Sequence, residues 1–293
     1  MTEKIYYGRV LACEKGYTED YVMKKRVLSI LLAGVMAASL FTGCGEKKDD
    51  KTGESSRTKL IVGFDAEYPP FGYMGEDGQY TGFDLELAEA VCKMEGWELV
   101  KTPIEWAAKD MELNSGAIDC IWNGFTRNGK EDDYTWSVSY VDNSQVIVVA
   151  EDSGIKTLAD LKDKIVGVQA GSAALDLLNS EEEDGQKDLA DTFKELKEFG
   201  DYNTAFSELK AGSLEALAVD IGVAKYQIKS RGAGYIILDE HLNSEEYAVG
   251  FKKGNEELRD IINADLQKLT NDGTVGKLAE KYEIADMVIL KAE

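Results

Sequence analysis

The chain has 293 residues, 44% of them hydrophobic and 30% charged, with only three prolines. Such a composition excludes fibrous and low-complexity proteins, and the length suffices for about two domains with buried cores. The formal charge is −22; residues 1–43 hold six Lys/Arg against four Asp/Glu, which leaves −24 beyond Gly43. A surface that acidic repels phosphate backbones, so nucleic acid is excluded as a partner.

In chain order, the first feature is an address. Lys24, Lys25 and Arg26 precede about fourteen mostly apolar residues, Val27–Leu40, and then Phe41-Thr42-Gly43-Cys44. The apolar run has signal-peptide length and is short for a bilayer span. The segment Leu40–Cys44 resembles a bacterial lipobox, which implies that residues 23–43 are a lipoprotein signal peptide and Cys44 the acylated (palmitate-bearing) mature N-terminus. Residues 1–22 then read as an upstream extension, with translation starting at Met23. Residues 44–58 are polar and charge-rich and read as a flexible tether. Two acyl chains would hold the protein at a membrane where one is marginal.

From Lys59 onward, short apolar runs alternate with helical patterns. Leu60–Phe64 is expected as a strand, Phe83–Glu95 as a helix stopped by Gly96, Glu98–Thr102 as a strand, Ala107–Asn114 as a helix closed by Gly116, and Ile118–Trp122 as a strand. After the β-branched run Ser144–Ala150 the pattern restarts. Leu158–Leu161 reads as a short helix, Ile165–Gln169 as a strand, Ser172 to about Asn179 as a helix, and Ser180–Lys187 as an acidic loop. Lys194–Phe199 is a strand, Asn203–Ala211 a helix closed by Gly212, and Ala216–Val219 a strand that enters a helix at Asp220. Tyr247–Phe251 is apolar and extended, and Glu256–Asn271 is a long helix with Asn255 as N-cap and Gly273 as its stop. Strand–helix alternation predicts α/β lobes, each a mostly parallel sheet flanked by helices. Two extended crossings, near 147 and 247, predict two lobes joined by hinge strands: 59–147 with 247–293 as lobe 1 and 148–246 as lobe 2. The cleft between them, at the carboxyl ends of the strands, is the expected ligand site.

The four cysteines, Cys13, Cys44, Cys92 and Cys120, show no CxxC or Cys/His spacing, so no metal site is expected. Cys92 and Cys120 read as core thiols, with a pairing between them left open. The single histidine, His241, lies in a polar loop without a nucleophile-elbow sequence and reads as a surface residue. No GxxxxGK[ST], GxGxxG or HExxH occurs, so no nucleotide cofactor is expected. A free amino acid, by contrast, needs a carboxylate and polar acceptors for its ammonium and a cation with N–H donors for its carboxylate. Asp65, Thr126, Lys130, Ser172 and Asp220 all stand at strand ends, on the side where the cleft should lie.

Here a resemblance enters. The run Lys59–Asp65 with Tyr68 and Phe71, then Gly82-Phe83-Asp84, Ser115–Asp119, Gly124-Phe125-Thr126, Trp136-Ser137, Leu158–Leu161, Val166–Ser172, Val219-Asp220, Gly250–Gly254 and Asp272–Thr274 resemble, in order and spacing, the polar amino-acid family of periplasmic-type solute-binding proteins. The match covers about Lys59 to Tyr282. It implies a two-lobed periplasmic-binding-protein-like fold and a non-enzymatic, extracytoplasmic receptor that delivers an amino acid to an ABC permease–ATPase complex, held at the cell membrane by its lipid and monomeric. It also implies Asp65 and Asp220 on the ligand's ammonium side and Tyr68 and Trp106 as aromatics around its side chain. Gly124 and Thr126 would serve the amino group, and Gln169, Ser172 and Ala173 the second-lobe segment facing the carboxylate. Asp119 and Gly82-Phe83-Asp84 look structural.

One departure matters. The loop after Gly124 is a residue shorter than the family pattern, and Lys130 falls where the family carries its carboxylate-binding arginine. Arg127 is the only arginine nearby, so the cation is Lys130 or Arg127, with the alignment favouring Lys130; a lysine gives a point charge rather than a fork. Trp106, Tyr68 and Glu105 point to a polar ligand of moderate size, glutamine- or cystine-like. Two other readings share the fold. A sensory receptor would normally continue into a membrane span, and a dehydratase would need Glu67 or Glu105 as its acid or base.

Overall fold

The computed structural model describes residues 57–232 and 234–293. The readings for residues 1–22, for 23–43, for Cys44 and for most of the tether lie outside the described residues.

Lys59–Phe64 forms the first strand and pairs in parallel with Glu98–Pro103 on one side and with Cys120–Ile121 on the other. Gly250–Phe251 and Thr135–Trp136 then add antiparallel, which completes a five-stranded sheet. The second sheet repeats the plan. Ile165–Gln169 is flanked in parallel by Glu195–Phe199 and Ala216–Asp220, and Gln145–Ala150 and Tyr235–Ile237 follow antiparallel. Each lobe is therefore an α/β sheet with three parallel strands and two antiparallel ones.

Phe83–Glu95 buries Phe83, Leu87, Ala88 and Val91 against Leu60, Val62 and Phe64, which explains the apolar stripe along that helix. The long helix Glu256–Asn271 and the helix Thr274–Lys281, both far along the chain, add Leu266, Leu269 and Val275 to the same core. Gly96, Gly116 and Gly212 close their helices in the left-handed conformation, as the sequence predicts. On the opposite face of the first sheet a smaller cluster, Trp106, Leu113, Ile118, Ile121, Phe125 and Trp136, supports the cleft floor. Cys92 and Cys120 are buried free thiols, and His241 is exposed.

Several details depart from the sequence reading. The first crossing between lobes is the ribbon strand Val141–Asn143, paired antiparallel with Glu245–Tyr247, ahead of position 147. Val146–Val149 is apolar without alternation because it is an inner strand covered on both faces, not a connection. Asn255 makes no side-chain capping bond, and Gly273 opens a further helix, Thr274–Lys281, rather than only stopping the previous one. A three-stranded meander of Glu67–Tyr68, Gly72–Met74 and Tyr80–Thr81 fills a stretch that had no predicted element.

That meander is held against the first helix at Gly82. Its φ is 132°, and a Cβ there would lie 2.2 Å from the Phe71 carbonyl oxygen. Gly82→Ala should destabilise the fold by about 2–3 kcal/mol, strain and clash combined. A urea midpoint unchanged from wild type would contradict this packing.

Candidate functional site

Four strand ends deliver side chains to the space between the sheets. Phe64 leads into Asp65, Ile121 into Asn123 and Gly124, and the other two strands end on Gln169 and Asp220 themselves. A cavity of about 10 Å³ lies there, lined by Tyr68, Trp106, Lys109, Gly124, Phe125, Thr126, Lys130, Gln169, Gly171, Ser172, Ala173 and Asp220. It has room for a single water-sized body, so a ligand enters only when the lobes part.

The structure thus gathers nine of the ten expected ligand residues around one cavity. Asp65, the tenth, stands just behind Gln169, whose Nε2 donates to its Oδ2 at 2.6 Å. Asp65 lines the adjoining outer pocket with Glu67, Glu105, Glu112 and Asp201. Glu67 and Glu105 are exposed there and do not line the inner cavity. Arg127 does not line the cavity either; its backbone N–H donates to the Glu246 carbonyl at 3.0 Å.

Tyr68 and Trp106 lie with ring centroids 6.5 Å apart and planes 8° from parallel. A flat group needs about 7 Å between such faces, twice the carbon–carbon optimum of roughly 3.5 Å. The centroid distance is an upper bound on the gap between the faces, so the rings must move apart before a flat group fits between them.

At one end stands a buried polar network. Asp220 Oδ1 accepts from Tyr247 Oη at 2.6 Å, Gln145 Nε2 at 2.6 Å and Asn143 Nδ2 at 2.9 Å. The same two amides reach Glu245 Oε1, both at 2.8 Å, and Thr126 Oγ1 donates to it at 2.9 Å. Tyr247 Oη also meets Tyr68 Oη at 3.0 Å. Thr126 is thus already committed as a donor and presents only acceptor capacity to the cavity. Asp84, buried under the site, accepts the Gly124 N–H at 2.6 Å and so holds that loop in place.

The other end is cationic. Lys130 Nζ lies 2.8 Å from Asp176 of the second lobe. Lys109 Nζ donates to the Gly171 carbonyl, also of the second lobe, at 2.9 Å and sits 5.2 Å from the centre of the Trp106 ring. Ser172 caps the helix Ala173–Asn179 by accepting from Leu175 N, and its own N–H donates to Gln169 O at 3.3 Å. Sequence reasoning missed Lys109, Glu245, Asn143 and Gln145. Lys109 carried a usable signal, since it lies three residues after Trp106 and helical spacing turns both to one side. The other three carried none, because only folding brings the ribbon strands to Asp220.

Among the described residues no His, Cys, Asp and Glu side chains cluster as metal ligands, and no helix is long and apolar enough to cross a membrane.

Similarities to known proteins bear on this geometry. The profile of the bacterial extracellular solute-binding proteins, family 3, matches residues 60–285. The L-cystine-binding protein TcyJ of Escherichia coli (strain K12) is 30% identical over 87% of this chain and 96% of that protein. The arginine-binding extracellular protein ArtP of Bacillus subtilis (strain 168) is 30% identical over 89% of this chain and 98% of its own length. A substrate-binding protein of an ABC uptake transporter from Streptococcus pneumoniae, solved with bound histidine, superposes with a TM-score of 0.74 at 32% identity. It covers 79% of this chain and 95% of the solved one.

The carboxyls of the site give a pH signature. Burial pushes Asp65 and Asp220 up to about 6, and Asp84 up to about 7, from 3.8; Glu245 adds to the rise at Asp220. The folded protein then keeps protons that the unfolded chain has released between about pH 4 and 7. Its stability should therefore fall as pH rises through that window. Urea midpoints measured without ligand should be higher near pH 5 than near pH 7.5, and the double variant Asp65→Asn, Asp220→Asn should flatten the slope. A midpoint that drops on acidification would mean that these carboxyls are ionised in the fold.

Proposed function

The chain belongs to the bacterial extracellular solute-binding proteins, family 3, and from that premise we propose that it captures a free polar amino acid between its lobes and passes it to an ABC permease–ATPase complex. The observation that carries this reading is a cleft lined by the Asp220 carboxylate, by Lys109 and Lys130, and by a parallel aromatic pair. The ligand ammonium goes to Asp220, with Gly124 and Thr126 beside it. The side chain lies between Tyr68 and Trp106 and reaches toward Asp65 and Gln169. The carboxylate lies at the lysine end, near Lys130, Ser172 and Ala173. Each end contributes from both lobes, so bound ligand bridges them and favours the closed form. Glutamine- and cystine-like ligands are the first candidates, and the names of an arginine-binding relative and a histidine-bound neighbour support testing those two as well.

Thermal unfolding with L-cystine, L-glutamine, L-arginine and L-histidine tests the reading. A ligand present at a hundred times its Kd adds about 2.7 kcal/mol to stability, which should raise the midpoint by several degrees for at least one of the four. Asp220→Asn should abolish that shift. Four flat responses from the wild type would reject the proposal.

We also propose that the mature protein starts at acylated Cys44 and reaches the cell membrane through that lipid, with residues 44–58 as the tether. The support is the basic, apolar and Gly-Cys order of residues 24–44. The mass of the protein from bacterial membranes should equal residues 44–293 plus diacylglycerol and any N-acyl chain. An unacylated N-terminus elsewhere would end this proposal.

A further inference from the structure

Lys109 is the least expected member of the cavity wall. It opens the helix Lys109–Ser115, directly after the short turn Trp106–Ala108, and only 6% of its surface is exposed. Burial holds its ammonium below the ordinary lysine range. Its hydrogen bond goes to a neutral carbonyl, and among the described residues no carboxylate lies within ion-pair distance. Lys130, its neighbour at the same end, differs: its charge is already met by Asp176 at 2.8 Å, and Asp176 is about half exposed. Asp110 and Asp176 lie near enough to offset part of that burial, and Lys130 opposes them, but neither carboxylate pairs with it directly. Desolvating an ammonium without an ion-pair partner is costly, and apolar replacement at such a place is often stabilising. A fold that carries this cost on the wall of its cavity has a charge ready for an incoming anion.

The approach of the second lobe supports the same assignment. Gly171 has φ 69°, and a Cβ there would lie 2.9 Å from Ala107 Cα. The bare glycine backbone lets the lobes meet, and it sets the Gly171 carbonyl on Lys109 Nζ. An ammonium has three donors, so one can keep that interlobe bond while another meets an anion within the cavity.

We infer that Lys109, rather than Lys130, is the cation that receives the carboxylate of the bound amino acid, and that Lys130 with Asp176 forms a strut across the mouth of the cleft. The inference rests on the amino-acid-binding reading. Lys109 then joins two events, because the ammonium that holds the carboxylate also ties the first lobe to Gly171 of the second. A ligand without a carboxylate cannot compensate that charge, so the site discriminates against amino-acid amides.

The test is calorimetric titration of the protein from residue 45 onward with L-cystine, L-glutamine, L-arginine, L-histidine and L-argininamide. Lys109→Met should weaken every amino acid that the wild type binds by at least about thirtyfold, as loss of one partner of a desolvated charge pair does. Lys109→Gln, which keeps a donor for Gly171 but not the charge, should lose as much, and it decides the matter if the methionine variant does not fold. Lys130→Met should lose less than either, and Arg127→Ala should bind as wild type. The thermal midpoint of ligand-free Lys109→Met should equal or exceed that of wild type, whereas a merely structural lysine would leave it lower. Binding by the Lys109 variants within threefold of a wild type that does bind overturns this inference alone. So does a greater loss in Lys130→Met, or wild-type affinity for argininamide equal to that for arginine. A wild type that binds none of the amino acids overturns the inference together with the functional reading.

Discussion

Two carboxylates, Asp220 and Glu245, sit in the dry interior where the lobes join, and the side-chain amides of Asn143 and Gln145 bridge them. Asp220 ends a strand of the second sheet, and Asn143 and Glu245 lie on the two ribbon strands. Thr126 and Tyr247 tie the same cluster to the first lobe. Removing one partner from such a network strands a buried charge, at a cost of about 3–5 kcal/mol. The ribbon is therefore held in one arrangement, and the cleft between the two sheets inherits its geometry from it.

Contacts across the cleft are of a different kind. The Lys130–Asp176 pair is half open to water, and pairs of that sort contribute roughly 0–1 kcal/mol. Glu67 meets Asn203 in an exposed position. Asp65 with Gln169 and Lys109 with Gly171 are better shielded, but each couples a charge to a neutral group. Strong bonds at the ribbon and weaker ones at the mouth suit a molecule that must open to admit a solute and close around it. The charge layout fits the proposed ligand, since lysine ammoniums and the Asp220 carboxylate lining one cavity complement the zwitterion common to all amino acids. On the proposed reading, the aromatic pair and the acidic outer pocket are left to meet the side chain.

Much of the fold was legible because it is local. Phe83–Glu95 and Ile165–Gln169 appear at the bounds that periodicity and stop signals indicate, and the strand-end polar residues fell on the cleft side because parallel α/β units place them there. The short meander Glu67–Thr81 was not legible, since strands of two or three residues carry no period. Nor was the ribbon at Val141–Asn143, because the continuous apolar run that follows looks the same whether it crosses between lobes or lies inside a sheet. Asn255 had the residue type of a cap, but its side chain makes no capping bond.

The amino-acid sequence by itself determined the class of the protein: two α/β units, an excess of negative charge, and an ordered set of motifs shared with a family of receptors. These are properties of residue type and spacing along the chain, and they survive without coordinates. Only the tertiary structure decided which charges face one another. Lys109 and Lys130 look alike in a sequence, yet Asp176 answers one and a backbone carbonyl the other. Glu245 lies 25 residues beyond Asp220 and 119 beyond Thr126, and it becomes part of the site only where the ribbon closes. Electrostatic partnership depends on distance and burial in space, and neither is written in the order of the residues.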